Sequence, residues 1–297
     1  MVPDPSIQRM RIEQITSAQN PKFKNLLLLQ EKSRARREQG LFVVEGRREL
    51  EHALEAGFVA RTVFVCPEIA GGRWPVGAGH DENRRESPES VFPGLTHSVI
   101  PGLTWNLNII EIPSQLYRKA AYREGTEGIL AVMEARTLRL EDLVLGEAPL
   151  VVVLESVEKP GNLGAVLRSA DAAGADAVIV CDPLTDLWNP NLIRASLGGI
   201  FTVPTVCATS EAAIAWLRAR GIRILTAQLQ DSSWYYDIDM TGGTALVMGT
   251  ESTGLTDIWR AAADAHIRIP MLGRLDSLNV SVSAAILLFE AVRQRNS

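Results

Sequence analysis

Cysteine is scarce in this chain of 297 residues: Cys66, Cys181 and Cys207 are odd in number and widely separated. That excludes a disulfide framework, and because each lies in or beside an apolar strand-like run, the three read as packed free thiols in a reducing compartment. Histidine is equally thin. His52, His80, His97 and His266 have no spacing that resembles a metal cluster, and no pair of cysteines is near enough to assist, so metal catalysis has no support. No apolar run approaches the roughly 18 to 20 residues of a membrane span, and Met1-Val2-Pro3-Asp4-Pro5 lacks the basic-then-apolar order of a secretory leader. The chain therefore reads as cytoplasmic, without a membrane partner. The nucleotide fingerprints GxGxxG and GxxxxGK[ST] and the hydrolase elbow GxSxG are all absent. A formal net charge of −5 argues against a surface that traps nucleic acid everywhere, but it leaves room for a local basic patch.

The length suits two domains. Near the amino end, Lys22, Lys24, Lys32, Arg34, Arg36, Arg37, Arg47 and Arg48 interleave with Leu26 to Leu29 and with the acids Glu31, Glu38 and Glu49. As a helix from Pro21, this segment packs its apolar positions and turns its cations outward, either as a solvated face or as a surface for phosphates. Leu41 to Val44 then reads as strand, Arg47 to Ala56 as helix and Thr62 to Val65 as strand. From Ala70 to about Pro113 glycine and proline break any period, which reads in part as a long loop or insertion whose Trp74 and Trp105 anchor it or stack on bases. Ser114 to Arg123 is expected as helix and Gly128 to Met133 as strand. The charged segment Arg136 to Pro149 reads as a linker between a first domain over residues 1–140 and a second over 145–297.

The second half is more regular. Leu150 to Leu154, Ala177 to Cys181, Arg223 to Ala227 and Ala245 to Met248 are strand-like. Asn162 to Ala173, Pro190 to Leu197, Ser210 to Arg220 and Val280 to Arg293 are helix-like, and Pro204 to Cys207 and Ile267 to Ile269 add short strands. Alternation of this kind implies an α/β fold with a mainly parallel sheet covered on both faces. Three segments place polar residues directly after a buried-strand pattern: Asn162-Leu163-Gly164-Ala165-Val166-Leu167-Arg168, Gly249-Thr250-Glu251 and Ser277-Leu278-Asn279-Val280-Ser281. In an open α/β sheet, strand carboxyl ends and helix amino ends meet at one edge, so three such loops point to one shared site.

Together, and in this order, Asn162 to Arg168, Val247 to Leu255 and Ile269-Pro270-Met271 through Ser281 resemble the three motifs of the SpoU/TrmH branch of the SPOUT RNA methyltransferases. The resemblance covers Leu150 to Arg295. Thr16-Ser17 with Asn20-Pro21, and Phe42-Val43-Val44-Glu45-Gly46, are similar to the small RNA-substrate-binding domain of ribosomal-RNA members. This implies a carboxyl-terminal α/β knot preceded by a smaller α/β substrate-binding domain, S-adenosyl-L-methionine held by the knot, a homodimer with a composite active site, and methyl transfer to a ribose 2′-hydroxyl of RNA. Ribosomal RNA is the favoured substrate because the amino-terminal domain is large. A transfer-RNA enzyme of the same class and a catalytically silent RNA-binding or assembly factor are the alternatives, although intact Arg168, Glu251 and Asn279 argue against silence.

Carried over residue by residue, the resemblance implies backbone contacts to the cofactor at Gly249, Ile269 and Leu278. The stretch Leu225 to Gln228, at another strand end, would complete the wall, with Leu225 and Thr226 as its cofactor contacts. Arg168 is implied as the catalytic residue. A guanidinium is effectively always protonated, so its physical role is to bind the adjacent phosphate and stabilise charge developing on the ribose oxygen, while phosphate or water accepts the proton. Glu251 is implied as a carboxylate that orients Arg168 or substrate. Asn162 is expected to cap the first helix and bond the incoming ribose or the neighbouring loop. Ser277 and Asn279 open the last helix; capping explains one of them, not both, and both are assigned to the site. Two departures stand out: the stretch Gly71 to Gly102 is longer than the resemblance leads one to expect, and Ser252-Thr253 is bulkier than usual for the second motif.

Overall fold

The computed structural model describes residues 11–70, 107–122, 127–250 and 253–297, which form two units. One comprises Met1–Arg136 with Trp188–Pro190, and the other Thr137–Leu187 with Asn191–Ser297. Trp74, Trp105, the Gly71 to Gly102 stretch and Glu251 lie outside the described residues.

The first unit contains β1 (Arg11–Gln14), α1 (Pro21–Glu31), α2 (Ser33–Gln39), β2 (Leu41–Glu45), α3 (Arg47–Glu55), β3 (Ala60–Val65), α4 (Pro67–Ala70), β4 (Asn108–Glu111), α5 (Ser114–Ala120) and β5 (Ile129–Glu134). Its five-stranded sheet has the order β1-β4-β3-β5-β2 and is mixed: β4 runs parallel to β1 and β3, whereas β5 is antiparallel to β3 and β2. Asn108–Glu111 falls where the sequence reads as irregular. Four residues are too short to show a period, and the strand is fixed by pairing on both sides. The helix expected from Pro21 breaks at Lys32, whose extended backbone separates α1 from α2. Asn20 caps α1 by accepting from the Lys22 N–H. Phe23, Leu26 and Leu29 are buried as the pattern requires. Arg36 corrects the outward-facing reading of the cations: it is only 3% exposed and donates to the carbonyls of Leu29 (2.6 Å) and Gln30 (3.0 Å), which α1 leaves over at its end.

The second unit contains β6 (Leu150–Glu155), α6 (Pro160–Ala172), β7 (Ala177–Cys181), α7 (Pro190–Ser196), α8 (Gly199–Thr202), β8 (Thr205–Ala208), α9 (Ser210–Ala219), β9 (Arg223–Ala227), β10 (Ser233–Trp234), β11 (Thr244–Met248), α10 (Asp257–Ala262), β12 (Ala265–Arg268) and α11 (Val280–Arg295). Its seven strands lie in the order β10-β12-β9-β11-β6-β7-β8, all parallel. The near-continuous burial of β6, β7 and β11 is what a parallel sheet covered on both faces demands. Although β11 follows β9 in the chain, it lies between β9 and β6. Loops leaving β6, β9, β11 and β12 consequently emerge at one edge. Leu140 and Leu143, in the segment read as a linker, belong to the second unit's core.

Gly164 of the first motif serves packing: a Cβ there would stand 2.6 Å from the Ala195 Cβ and 2.8 Å from the Leu192 carbonyl, so its absence lets α6 and α7 touch. At the far end, Arg295 donates to the carbonyls of Ala148, Met240 and Gly242, and fixes α11 beside the approach to β6. All three cysteines are free. Cys66 and Cys181 are buried, and burial pushes both thiols up, which leaves them protonated at neutral pH. Cys207 is exposed on the edge strand β8, contrary to its reading as packed.

Candidate functional site

A cavity of about 360 Å³ opens at the strand ends of the second unit. Gly249 after β11, Ile269 after β12, and Ser277 and Leu278 before α11 all line it. Ala227 and Gln228 close the wall from β9, and Met248 and Leu287 add apolar surface. Leu225 and Thr226 do not take part. Both are 0% exposed inside β9, and the Thr226 hydroxyl is 2.6 Å from His266 Nδ1, a contact between neighbouring strands. The cavity begins one residue later, where β9 ends.

Gly249 is the tightest point. A Cβ there would lie 2.2 Å from the Gly254 carbonyl carbon, so the chain between them can close only around a glycine. Thr250 and Gly254 exchange backbone hydrogen bonds across this turn, at 3.3 and 3.1 Å, and Gly254 takes a positive φ of 69°. Beyond the turn, the buried carboxylate of Glu155 accepts from the Thr256 N–H (2.9 Å) and hydroxyl (2.6 Å), tying the loop to the end of β6.

A second, smaller cavity of about 100 Å³ shares Gly249, Thr250 and Val280 with the first and is lined by Asn162. Asn279 donates from Nδ2 to Asn162 Oδ1 at 3.2 Å, which joins the first and third motifs. Asn279 is also the N-cap of α11, since its Oδ1 accepts from the Ser281 N–H at 3.0 Å. Asn162 is not a cap. α6 starts at Pro160 with Lys159 before it, and proline is at home in a first turn that needs no donor. Arg168 stands six residues beyond Asn162, about 9 Å along the helix axis, exposed and lining neither cavity.

Arg260 and Arg268, which the sequence does not single out, also face the large cavity, as does the amide of Gln228, at the end of the Leu225 to Gln228 stretch. Each has a buried polar atom, Arg260 Nε, Arg268 Nε and Gln228 Oε1, without a hydrogen-bond partner among the described residues. Arg268 closes β12 directly before Ile269-Pro270, and that position beside the third motif is the signal that could have found it.

Residues 149–289 match the model of the SpoU rRNA methylase family, and residues 20–131 match an MRM3-like substrate-binding domain. The chain is 30% identical over 287 residues to a 23S rRNA (uridine(2479)-2′-O)-methyltransferase of Streptomyces viridochromogenes, covering 95% of this chain and 92% of the relative. The chain belongs to the SpoU methylase family. It is also 33% identical to the 23S rRNA (guanosine-2′-O-)-methyltransferase RlmB of Pseudomonas aeruginosa, over 78% of this chain and 84% of that one. An AdoMet-bound rRNA methyltransferase from Sinorhizobium meliloti superposes with a TM-score of 0.79 at 29% identity, over 95% of this chain and 98% of that structure. Family membership accounts for the order of the three motifs and for their convergence on one sheet edge.

Proposed function

We propose that this chain is a methyltransferase that uses S-adenosyl-L-methionine to methylate a ribose 2′-hydroxyl in ribosomal RNA. The observation that carries this reading is the convergence of Gly249, Ile269 and Leu278 on one cavity. Its volume falls within the range of cofactor sites. The residues present suit the donor. An apolar wall with backbone groups at strand ends fits adenine, Gly249 puts bare main chain in that wall, and the unpartnered polar atoms of Gln228, Arg260 and Arg268 offer both an acceptor and donors.

When bound, the donor supplies a sulfonium methyl already activated for transfer to the ribose oxygen, leaving a thioether while the hydroxyl proton passes to phosphate or water. The protein's task is alignment, which is worth several kcal/mol in such reactions. The Asn162–Asn279 pair sits at the small adjoining cavity, where it can orient a ribose. Arg168 would bind the neighbouring phosphate and stabilise the developing oxyanion. Because Arg168 lines neither cavity of its own chain, we place it in the active site of a second copy, in a homodimer. Glu251 would orient Arg168 or the substrate. The knot belongs to the same proposal, and the position of β11 between β9 and β6 supports it. So does the division of labour, with 1–140 binding RNA and 145–297 performing transfer.

Incubating the purified protein with labelled S-adenosylmethionine and separate pools of ribosomal and transfer RNA tests the reading. Label in ribosomal RNA, retained in alkali-resistant dinucleotides, is expected. Label in transfer RNA alone would move the enzyme to the other substrate class, and label in neither pool, with ribosomal particles included, would favour a silent factor.

A further inference from the structure

Arg268 closes β12 with its guanidinium over the Trp234 ring, 4.3 Å from Cζ to the ring centroid. The contact is a cation–π stack, which fixes the plane of the fork without using its N–H donors. β10 and β12 pair in register at these two residues, so the stack is built into the sheet edge. Arg268 lines the large cavity, its Nε is buried without a partner, and no acid among the described residues forms an ion pair with it. Arg260, the other cation at the wall, lies 3.9 Å from Asp257. A guanidinium held flat, partly desolvated and unneutralised is poised for a planar oxyanion.

Gln228 supplies the complement. Its Nε2 donates to the Gln230 carbonyl at 2.9 Å, which fixes the orientation of the amide and turns Oε1 into an acceptor. That Oε1 is buried, unpartnered and part of the same wall. The cavity thus offers a cation with free donors and a neutral acceptor, a pairing that matches a zwitterionic α-amino acid.

We propose that Arg268 and Gln228 recognise the amino-acid end of the methyl donor, the guanidinium taking its carboxylate and the amide oxygen its ammonium. This rests on the assignment of the cavity to the donor, and it makes Arg268 and Gln228 specificity residues, with Trp234 a positioning residue for Arg268. A ligand that shares the adenosine and thioether but lacks the amino acid gains nothing from them. Burying either group without a partner is costly, so a ligand that satisfies both is selected over one that satisfies neither.

The test is calorimetric binding of S-adenosylhomocysteine and of 5′-methylthioadenosine to the full chain. Arg268→Ala is expected to weaken S-adenosylhomocysteine about tenfold to a hundredfold and to leave methylthioadenosine within about twofold. Gln228→Leu should show the same selectivity at smaller size, and Trp234→Leu should follow Arg268→Ala in direction. Retained methylthioadenosine binding reports that each variant is folded. Equal losses for both nucleosides, or none for either, would overturn the proposal. So would unchanged nucleoside binding with weakened RNA binding, which would assign the guanidinium to a phosphate of the RNA. If the wild-type chain bound neither nucleoside, the donor site itself would be refuted; if it bound both and Arg268→Ala failed to discriminate, only this inference would fall.

Discussion

The two units treat their polar groups differently. In the first, the groups that strand and helix ends leave over are satisfied within the unit: Arg36 serves the end of α1, Glu45 accepts from the Tyr122 N–H (3.0 and 3.2 Å), and Glu68 accepts from the Ser114 N–H at 2.7 Å. Hydrogen bonds from the Ser114 hydroxyl first and its N–H second hold the Glu68 carboxyl below its usual range. In the second unit, four buried side-chain atoms lack a partner among the described residues, and three of them line one cavity. An orphaned polar atom costs free energy unless something else satisfies it. Among the described residues, the contrast separates a unit whose buried side-chain atoms find partners within the protein from one that leaves three of them to a ligand.

The sharpest way to break this contrast is to displace the cavity wall at Gly249. Gly249→Ala puts a methyl group where the Gly254 carbonyl carbon stands, and the turn must move. Donor affinity is expected to fall by more than a hundredfold in equilibrium dialysis, with the secondary structure of the first unit intact by circular dichroism. Wild-type affinity would show that the loop does not form the wall.

Arg168→Ala should retain donor binding and lose about a hundredfold to a thousandfold in kcat, the usual effect of removing one stabilising donor of a developing oxyanion. Co-expression with Gly249→Ala sharpens the point. Each variant is inactive alone, but a mixed dimer unites an intact Arg168 with an intact cavity if the two come from different copies. Methyl transfer should then return in part. No recovery in verified mixed dimers would place Arg168 in its own chain's site.

Glu155→Ala removes the anchor of the exposed Thr256 and a 3.4 Å partner of the buried Ser210 hydroxyl, at a cost of about 1–2 kcal/mol in urea unfolding. A loss confined to a few tenths would mean that the loop holds itself. The smallest effect concerns Glu290 in α11, whose carboxyl is held below its ordinary 4.5 chiefly by the hydrogen bond from Arg293. A depressed folded-state pKa adds stability that is present above 4.5 and lost as the pH falls through the folded value. Glu290→Gln should therefore cost on the order of 1 kcal/mol or less at pH 7, since Arg293 is solvated, and nothing once the pH is well below 4. A difference that persisted in acid would point to packing instead of charge.

Much of the second unit was legible because its strands are buried on both faces and its helices are amphipathic. Ala177–Cys181 and Arg223–Ala227 fall where the pattern put them, and the other long elements differ by a few residues at their ends. What escaped was short or set by distant partners. Asn108–Glu111 and Ser233–Trp234 are strands only because neighbours pair with them. In the site, Gly249, Ile269, Leu278 and Ser277 share the cavity that their order along the chain implied. Of the stretch Leu225 to Gln228 only Ala227 and Gln228 reach it, since hydrophobic alternation marks a strand but not the residue at which it runs out. Arg268 went unremarked because its meaning depends on Trp234, thirty-four positions earlier in sequence and adjacent only in the sheet.

After β11, Thr250 and Gly254 exchange backbone hydrogen bonds, and Thr256 makes two bonds to Glu155. Residues so tied make a poor hinge. Between Met271 and Asp276, which border the same hollow, Leu272 and Leu275 are 98% and 76% exposed, so a rearrangement there would cost little buried apolar area.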